Sequence, residues 1–392
     1  MKHSFIVTTY NIDGYIGACL DSLRHCTRPG DEIIVVDDGS TDGTDARVER
    51  MLTAGGFGKN VSCRQILLGA NTMGGVGIPA NIGMDAARGD AIFFIDGDDW
   101  LVPEGFRACR NRFEAAAPDI LIANYMEFDE TTGTSRAPAD GGRWHGLPGE
   151  DAGIAALRQA ARSMIAVPWR KFYRRDFLKT HGIRFPEGDM FFEDNPFHWQ
   201  VCQAAGGILF ENRVLCQHRV NRPGQTMTST GLELMAFFHH YETIRNRLPA
   251  DDTALQGDAL SWLLNNMSWH LARLSPVAFW PYASRAAAVL AGCADAVWDR
   301  AIGTFAAGAV GGIATALRRG DVAGVVAVWE QAQMRRDLRA TERRLLDRIA
   351  QSEAKQAQQG LRIDSLRHIA EFRALQALSE IRGAGTTEEQ SR

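Results

Sequence analysis

The first hundred residues alternate between short apolar runs and amphipathic segments, and no other feature of the chain constrains its fold as strongly. Runs rich in β-branched and aromatic residues predict four strands, at residues 5–7, 32–36, 61–68 and 91–95. Between the first two runs, residues 15–25 carry apolar side chains at helical spacing. Strands that alternate with helices form a parallel sheet, because a parallel connection needs a long crossover. We therefore predict an α/β fold with a Rossmann-like, mostly parallel sheet flanked by helices.

Polar clusters directly follow three of these predicted strands. Residues 8–11 follow the first strand, residues 37–42 the second and residues 96–99 the fourth. In open α/β sheets, ligands bind at the carboxyl ends of the strands. The sequence thus predicts one ligand site to which all three clusters contribute.

Composition excludes several classes of protein. The 392 residues are 45% hydrophobic with a formal net charge of −4, which is typical of a globular protein and excludes a disordered chain. A dedicated nucleic-acid binder would carry a basic excess, so we expect no nucleic-acid partner. The seven cysteines contain no C-x-x-C pair, which favours a reduced, cytoplasmic protein over a secreted or zinc-bound one.

No segment predicts membrane insertion. The N-terminus turns polar at Thr8, too early for a signal peptide. The longest mildly apolar stretch, residues 303–317, is too short to span a bilayer. We expect no transmembrane segment, and a cytoplasmic protein that is free to work peripherally at the inner face of the membrane.

The second half of the chain has a helical pattern. We predict a helical domain at residues 231–330 and a long, coiled-coil-like helical tail at residues 331–392, of which the final ten residues are disordered. Met334, Leu338 and Leu345 have the spacing of a coiled-coil seam. This spacing predicts a homo-oligomer formed through the tail.

Asp96, Asp98 and Asp99 form an acidic motif at the end of the fourth predicted strand. Three carboxylates so close together repel one another unless a cation is present, and Mg²⁺ or Mn²⁺ prefers such oxygen ligands. The motif therefore favours a divalent cation site. The alternative is a turn that ends the strand and carries solvated acids.

The clusters after the first two strands suggest how a nucleotide could bind. Tyr10 could stack on a nucleobase, and Asn11 could fix the loop. An ionised Asp38 can accept a hydrogen bond but not donate one, so it suits uracil, thymine or guanine better than cytosine. Taken singly, each cluster is equally compatible with an ordinary turn between a strand and a helix.

Together these segments resemble a known family. Residues 5–11, 34–42, 71–83 and 94–100 are similar, in order and spacing, to the successive motifs of family-2 glycosyltransferases with the GT-A fold. The resemblance covers residues 1–230, which we assign as a GT-A catalytic domain. It implies that Tyr10 and Asp38 hold the nucleobase, with Asp37 as the alternative to Asp38. The residues that it assigns to the donor in these motifs are Thr8, Tyr10, Asn11, Asp37, Asp38, Asn81 and Asp96, with the metal on Asp98.

One position departs from the family pattern in a way that concerns the donor phosphates. Ala80 stands where the family often has an arginine that helps to hold the donor, so that cation is missing here. Residues 218–225 resemble the family's later loop, which closes over the donor. The resemblance implies that Arg219 or Arg222 neutralises phosphate and that His218 completes the metal shell.

Residues 167–197 resemble the acceptor side of the family. There, a Glu-Asp pair supplies the catalytic base, which implies Asp194 as the base and Glu193 as its support. The alternative is structural. Asn195 and Pro196 form a good helix cap and first-turn pair, so the acids could merely favour the positive end of the helix dipole.

The resemblance implies an inverting, metal-dependent glycosyltransferase of polysaccharide biosynthesis. It would move a sugar from a nucleotide-diphosphate sugar, UDP-linked by the argument on Asp38, to a hydroxyl of a surface glycan or another cell-envelope acceptor, with Mn²⁺ or Mg²⁺ as cofactor. Two alternatives stay open. One is a non-catalytic helical scaffold with a vestigial nucleotide-sugar domain. The other is a sugar-nucleotide nucleotidyltransferase, although residues 8–13 lack the glycine- and arginine-rich loop of that class.

Overall fold

The structure is a computed structural model that describes residues 1–189, 191–222 and 231–388. The strands are β1 (His3–Thr9), β2 (Glu32–Asp37), β3 (Ser62–Leu67), β4 (Ala91–Asp96), β5 (Trp100–Leu101), β6 (Ile120–Asp129), β7 (Thr134–Arg136), β8 (Lys171–Arg174) and β9 (Ile208–Val220). The helices are α1 (Asp13–Arg24), α2 (Thr44–Ala54), α3 (Gly77–Ala86), α4 (Pro103–Ala116), α5 (Ile154–Ser163), α6 (Arg175–Thr180), α7 (Asp194–Ala204), α8 (Ala236–Arg247), α9 (Thr253–Leu271), α10 (Phe279–Ala291), α11 (Asp295–Ile302), α12 (Ala309–Arg318) and α13 (Val322–Glu388).

These strands form one sheet in the order β3-β2-β1-β4-β8-β6-β9-β5, with β7 paired to β6. The first four strands in that order are parallel, whereas β8 runs antiparallel to both of its neighbours. The predicted α/β fold with flanking helices is confirmed, and the sheet is more mixed than predicted. In register, Thr8 of β1 lies beside Asp96 of β4, and Thr9 lies beside Asp37 of β2. The three predicted polar clusters therefore meet at the carboxyl ends of the parallel strands.

Both faces of the sheet are buried, each by its own apolar cluster. Phe5 and Phe93 belong to the cluster on one face, together with residues of α1 and α4. The neighbouring residues Ile6 and Phe94 belong to the cluster on the other face, which includes residues of α3 and α7. Successive side chains of a strand point to opposite faces, so a strand covered on both sides is continuously apolar. This arrangement explains why the predicted strands lack polar alternation.

The chain divides into two compact units, Met1–Val325 and Val326–Arg392. The first unit contains the sheet and the helices up to α12, and the predicted domain boundaries at residues 230 and 330 stay predictions. The second unit contains most of α13, in which Met334, Leu338 and Leu345 are more than half exposed. α13 continues through Glu388, and the last four residues of the predicted disordered end lie outside the described residues. None of the described helices is both long and apolar enough to cross a membrane.

Candidate active site at the carboxyl ends of the strands

An acidic cluster occupies the end of β4. One carboxylate oxygen from each of Asp96, Asp98 and Asp99 lies within 4.8 Å of the other two. Burial, followed by the charges of Asp99 and Asp98, raises the pKa of Asp96 well above its usual range. A nearby positive charge would favour the ionised form of this carboxyl group and lower its pKa. These three carboxylates are therefore suited as ligands of a divalent cation, as predicted for Asp98.

His218 lies beside this cluster and is oriented by Asp99. Its Nδ1 is 2.9 Å from Asp99 Oδ2, and its ring stacks on Trp169 with 4.7 Å between the centroids. Burial alone would lower the pKa of His218, but the Asp99 carboxylate raises it to about 9. Histidine ligands of metals are commonly oriented by a carboxylate on the other ring nitrogen. The sequence placed Asp99 in the acidic motif but did not predict its contact with His218, which lies 119 positions away.

Arg222 and Arg219, predicted to contact phosphate, both contact the acidic turn. Arg222 Nε donates to Asp98 Oδ2 and forms an ion pair with that carboxylate. Arg219 is 8% exposed, with its guanidinium 4.9 Å from the ring centroids of Tyr15 and Trp100, and its Nε donates to the Asp98 carbonyl. The structure thus gives Arg219 a role in holding the turn. Residues 223–225 of the predicted loop lie outside the described residues.

The two acids after β2 have different partners. Asp37 Oδ1 accepts a hydrogen bond from Thr9 at 2.8 Å, and Asp37 also accepts from the backbone and the hydroxyl of Ser40. Asp38 contacts the loop between β3 and α3. Its two carboxylate oxygens accept hydrogen bonds from the backbone and the hydroxyl of Thr72, both at 2.9 Å. Asp37 therefore fixes its own turn, and Asp38 joins that turn to the glycine-rich loop before α3.

The residues at the end of β1 and directly after it differ in how accessible they are to a ligand. Tyr10 is 45% exposed, in keeping with a ring available for stacking. Asn11 has φ of 49°, and its Oδ1 accepts from the backbone of Thr41 at 2.8 Å, so it fixes the loop. Thr8 Oγ1 is 3.5 Å from Asp96 Oδ1, at the edge of the acidic cluster.

Asn81, predicted to contact the donor, is buried and hydrogen-bonded to the segment that precedes α7. It is 1% exposed, and its Nδ2 donates to the Phe185 carbonyl and to Glu187 Oε1. Its Oδ1 accepts from the backbone of Phe185 at 3.1 Å. These hydrogen bonds use most of the donor and acceptor positions of the Asn81 side-chain amide. Asn81 therefore joins α3 to residues 185–187. The neighbouring Ala80 is 2% exposed and packs in the apolar cluster.

The acid pair lies at the start of α7, which begins two residues earlier than predicted. The helix begins at Asp194, with Glu193 rather than Asn195 in the capping position. Asn195 Nδ2 instead donates to Asp194 Oδ1 at 2.9 Å, and Glu193 Oε1 accepts from the backbone of Gly77 at 2.8 Å. Burial raises the pKa of Glu193 to about 7, and burial, opposed by the charge of Lys171, raises the pKa of Asp194 to about 6.

Lys171 is a buried cation that the sequence analysis missed. Its Nζ donates to the carbonyls of Ala166 and Val167 at 3.0 and 2.6 Å, and burial lowers its pKa to about 7. Lys171 begins β8, directly before Phe172 and Tyr173, and a lysine next to two large aromatic residues was the available signal. Its charge favours the ionised form of Asp194.

The comparison with known families agrees with this geometry. Residues 4–188 match the family model described as glycosyl transferase family 2. The chain carries a family-2 glycosyltransferase domain. The matched residues contain the acidic cluster and the turns after β1 and β2.

Curated relatives match a little more than half of this chain. EpsH of Bacillus subtilis (strain 168) is 30% identical over 222 residues, which are 56% of this chain and 60% of EpsH. TarS of Staphylococcus aureus (strain MW2), a poly(ribitol-phosphate) beta-N-acetylglucosaminyltransferase, is 28% identical over 62% of this chain and 39% of its own length. This chain thus spans less than two thirds of either relative.

Solved structures confirm the GT-A fold. The crystal structure of S. aureus TarS 1–349 in complex with UDP-GlcNAc superposes with a TM-score of 0.66 at 20% sequence identity. The superposition covers 85% of this chain and 92% of that one. It therefore extends beyond the family-2 domain into the helical region of this chain.

Proposed function

We propose that this protein is an inverting, metal-dependent glycosyltransferase that moves a sugar from a UDP-linked donor to a hydroxyl of a cell-envelope glycan. One observation carries the proposal. Asp194, on the acceptor side, is close enough to Asp96 for its charge to raise the pKa of Asp96. A candidate base and a candidate cation site therefore belong to one centre.

The cation would be held by Asp98, with Asp96 and His218 as the other candidate ligands. When bound, a divalent cation neutralises the diphosphate and stabilises the charge on the leaving group. The chain prepares this position by clustering carboxylates, by orienting His218 with Asp99, and by placing Arg222 against Asp98. Arg222 is then the candidate for the phosphate contact that Ala80 cannot make.

Asp194 is the candidate general base. A hydroxyl is a weak nucleophile at neutral pH, and a carboxylate within reach can accept its proton as the oxygen attacks. Asn195 orients this carboxylate, and the charge of Lys171 favours its ionised form. Glu193 holds the start of α7 against α3 through Gly77, which fixes the position of Asp194.

The donor and the acceptor are proposed by analogy with relatives. The TarS structure has UDP-GlcNAc bound, and the TarS acceptor is a poly(ribitol-phosphate). Tyr10 is exposed and Asp38 lies in the adjoining turn, as a stacking and accepting pair for uracil requires. A phosphate-containing or sugar polymer of the cell envelope is therefore the proposed acceptor class.

The test combines metal binding with donor turnover. Calorimetry with Mn²⁺ should show a site in the wild-type protein that Asp98→Asn removes, whereas Asp21→Asn, which changes an exposed acid of α1, should keep it. Release of UDP from UDP-GlcNAc, UDP-glucose and UDP-galactose should need Mn²⁺ or Mg²⁺ and should be lost in Asp98→Asn. Full turnover in EDTA would contradict the metal role. Release of pyrophosphate from UTP and a sugar 1-phosphate, with no release of UDP from the UDP-sugars, would favour a nucleotidyltransferase.

A further inference from the structure

The backbone that leads into the acid pair is strained. Phe192 has φ of 63°, in the left-handed region that a bulky residue rarely adopts, and it directly precedes Glu193 and Asp194. Such a conformation is strained and persists only when the surrounding structure holds it. The elements that hold Phe192 therefore help to determine where the acid pair lies.

One of these elements is α8, through a buried histidine. His240 Nε2 lies 2.6 Å from the carbonyl oxygen of Phe191, so this nitrogen carries the proton and donates it. Burial lowers the pKa of His240 to about 4, which keeps the ring neutral at physiological pH. His240 is thus a fixed, uncharged donor to the residue that precedes Phe192.

Aromatic side chains of α8 and α9 hold the Phe192 ring. Its centroid lies 4.8 Å from that of Phe237 and 6.4 Å from that of Trp269, in a perpendicular arrangement with the latter. Phe237 is 3% exposed and stacks in turn on Trp262. The two helices therefore form a socket for this ring.

A short relay connects the socket to the carboxylate of Asp194. The Phe192 carbonyl accepts from the backbone N–H of Asn195 at 3.1 Å and from its Nδ2 at 3.0 Å. The same Nδ2 donates to Asp194 Oδ1. The position of the Phe192 carbonyl thus determines the position of the amide group that orients the candidate base.

We propose that His240 and Phe237 are positioning residues for the acid pair, so that the helical region is part of the catalytic machinery. The inference rests on the proposed function, because it takes Asp194 as the base. A misplacement of about 1 Å in a reacting group can lower a rate about 100-fold, so a loosened socket should affect turnover more than donor binding.

The test uses four substitutions on α8 in the full chain. His240→Phe keeps a ring but removes the donor, and His240→Gln keeps a donor at a similar position. His239→Phe changes an exposed neighbour on the same helix and serves as the matched control. Phe237→Leu probes the socket separately.

Two readouts separate position from structure. Hydrogen exchange at the amides of Gly77 and Asn195 reports on the placement of Glu193 and Asp194 without any need for turnover. The pH profile of UDP release from the donor panel reports on the base. We expect His240→Phe and Phe237→Leu to speed hydrogen exchange at both amides and to lower the rate of UDP release roughly 10- to 100-fold. The acidic limb of the pH profile should shift, and the affinity for UDP should stay within about twofold of the wild type. His240→Gln should restore most of the rate, and His239→Phe should match the wild type.

The proposal fails if His240→Phe leaves exchange unchanged, or if exchange rises while the rate and the pH profile stay the same. Asp194→Asn is measured in parallel to separate this failure from that of the proposed function. A fully active Asp194→Asn would overturn the base assignment and the proposal with it. An inactive Asp194→Asn beside a wild-type His240→Phe would overturn the positioning role alone.

Discussion

Asp194 and Glu193 are adjacent carboxyl groups with different surroundings. Asp194 is partly accessible and receives a hydrogen bond from Asn195, whereas Glu193 is 4% exposed and accepts from Gly77. Adjacent carboxyl groups that differ in exposure and in hydrogen-bond partners can take different roles at one site. The geometry therefore favours Asp194 as the group that meets a substrate and Glu193 as the group that holds α7 in place.

The first prediction at this scale concerns the rate. Asp194→Asn should lower transfer about 10²- to 10⁴-fold because the base is lost, with donor affinity close to that of the wild type. Because a base must be ionised and the pKa of Asp194 is about 6, wild-type activity should fall as the pH drops through that value. Steady-state rates across pH would check this expectation. A wild-type rate in Asp194→Asn, or a greater loss in Glu193→Gln, would reassign the base.

The second prediction concerns stability. Burial raises the pKa of Glu193 from its ordinary value of 4.5 to about 7. The stabilisation that the protonated form gives to the fold is therefore complete below pH 4.5 and is lost as the pH rises through 7. Glu193→Gln should therefore increase the free energy of unfolding by about 1–3 kcal/mol at alkaline pH and much less under acid conditions. Chemical denaturation in EDTA at both pH values would measure the difference. An equal effect at the two values would show that ionisation of Glu193 is not the cause.

The third prediction concerns the nucleobase. Each Asp38 oxygen that accepts from Thr72 keeps capacity for another donor, so calorimetry should show tighter binding of UDP than of CDP, and Asp38→Ala should remove the difference. Thr72→Val is the control, since it removes the hydroxyl and leaves the acid. If Thr72→Val alone removed the preference, Asp38 would act by holding the loop. Equal binding of the two nucleotides to the wild type would contradict the uracil assignment.

At the scale of elements, the loop before α3 is packed tightly against the start of α7. A Cβ at Gly75 would lie 2.4 and 2.6 Å from the carboxylate oxygens of Glu193. Gly75→Ala should therefore displace Glu193, lower the melting temperature and lower the transfer rate. Gly14→Ala in α1 has open space at its Cβ and should be neutral or slightly stabilising. Thermal melts and rates of both variants test this, and a wild-type Gly75→Ala would show that the contact is unimportant.

The elements themselves could be predicted better than the contacts between them. Strands β1, β2 and β4 were predictable because each is a continuous apolar run, and the acids after β4 were predictable because they are local in sequence. The contact of Asp38 with Thr72 spans 34 positions and that of Glu193 with Gly77 spans 116. Such contacts depend on how the elements pack, which residue spacing does not encode. Arg219 shows the same limit, because only its aromatic neighbours reveal that it is enclosed.

At the scale of the whole molecule, the described part of α13 exposes a long series of apolar side chains. Met334, Leu338 and Leu345 are 66%, 70% and 52% exposed. Truncation after Trp329 should reduce the oligomeric state, because an exposed apolar seam on a helix is stabilised by a partner helix. Light scattering of the full and truncated chains would measure this. A monomeric mass for both would contradict association through the tail.

β4 is the strand at which the parallel and antiparallel parts of the sheet meet, with β1 on one side and β8 on the other. A lineage could in principle exchange everything after β4 while it keeps the turns that follow β1 and β2. Asn81 and Gly77 limit this freedom, because α3 lies before β4 yet is hydrogen-bonded to Phe185, Glu187 and Glu193 after it. Recombination at β4 must therefore supply compatible hydrogen-bond partners for α3. We expect Gly77 and Asn81 to be inherited together with those partners.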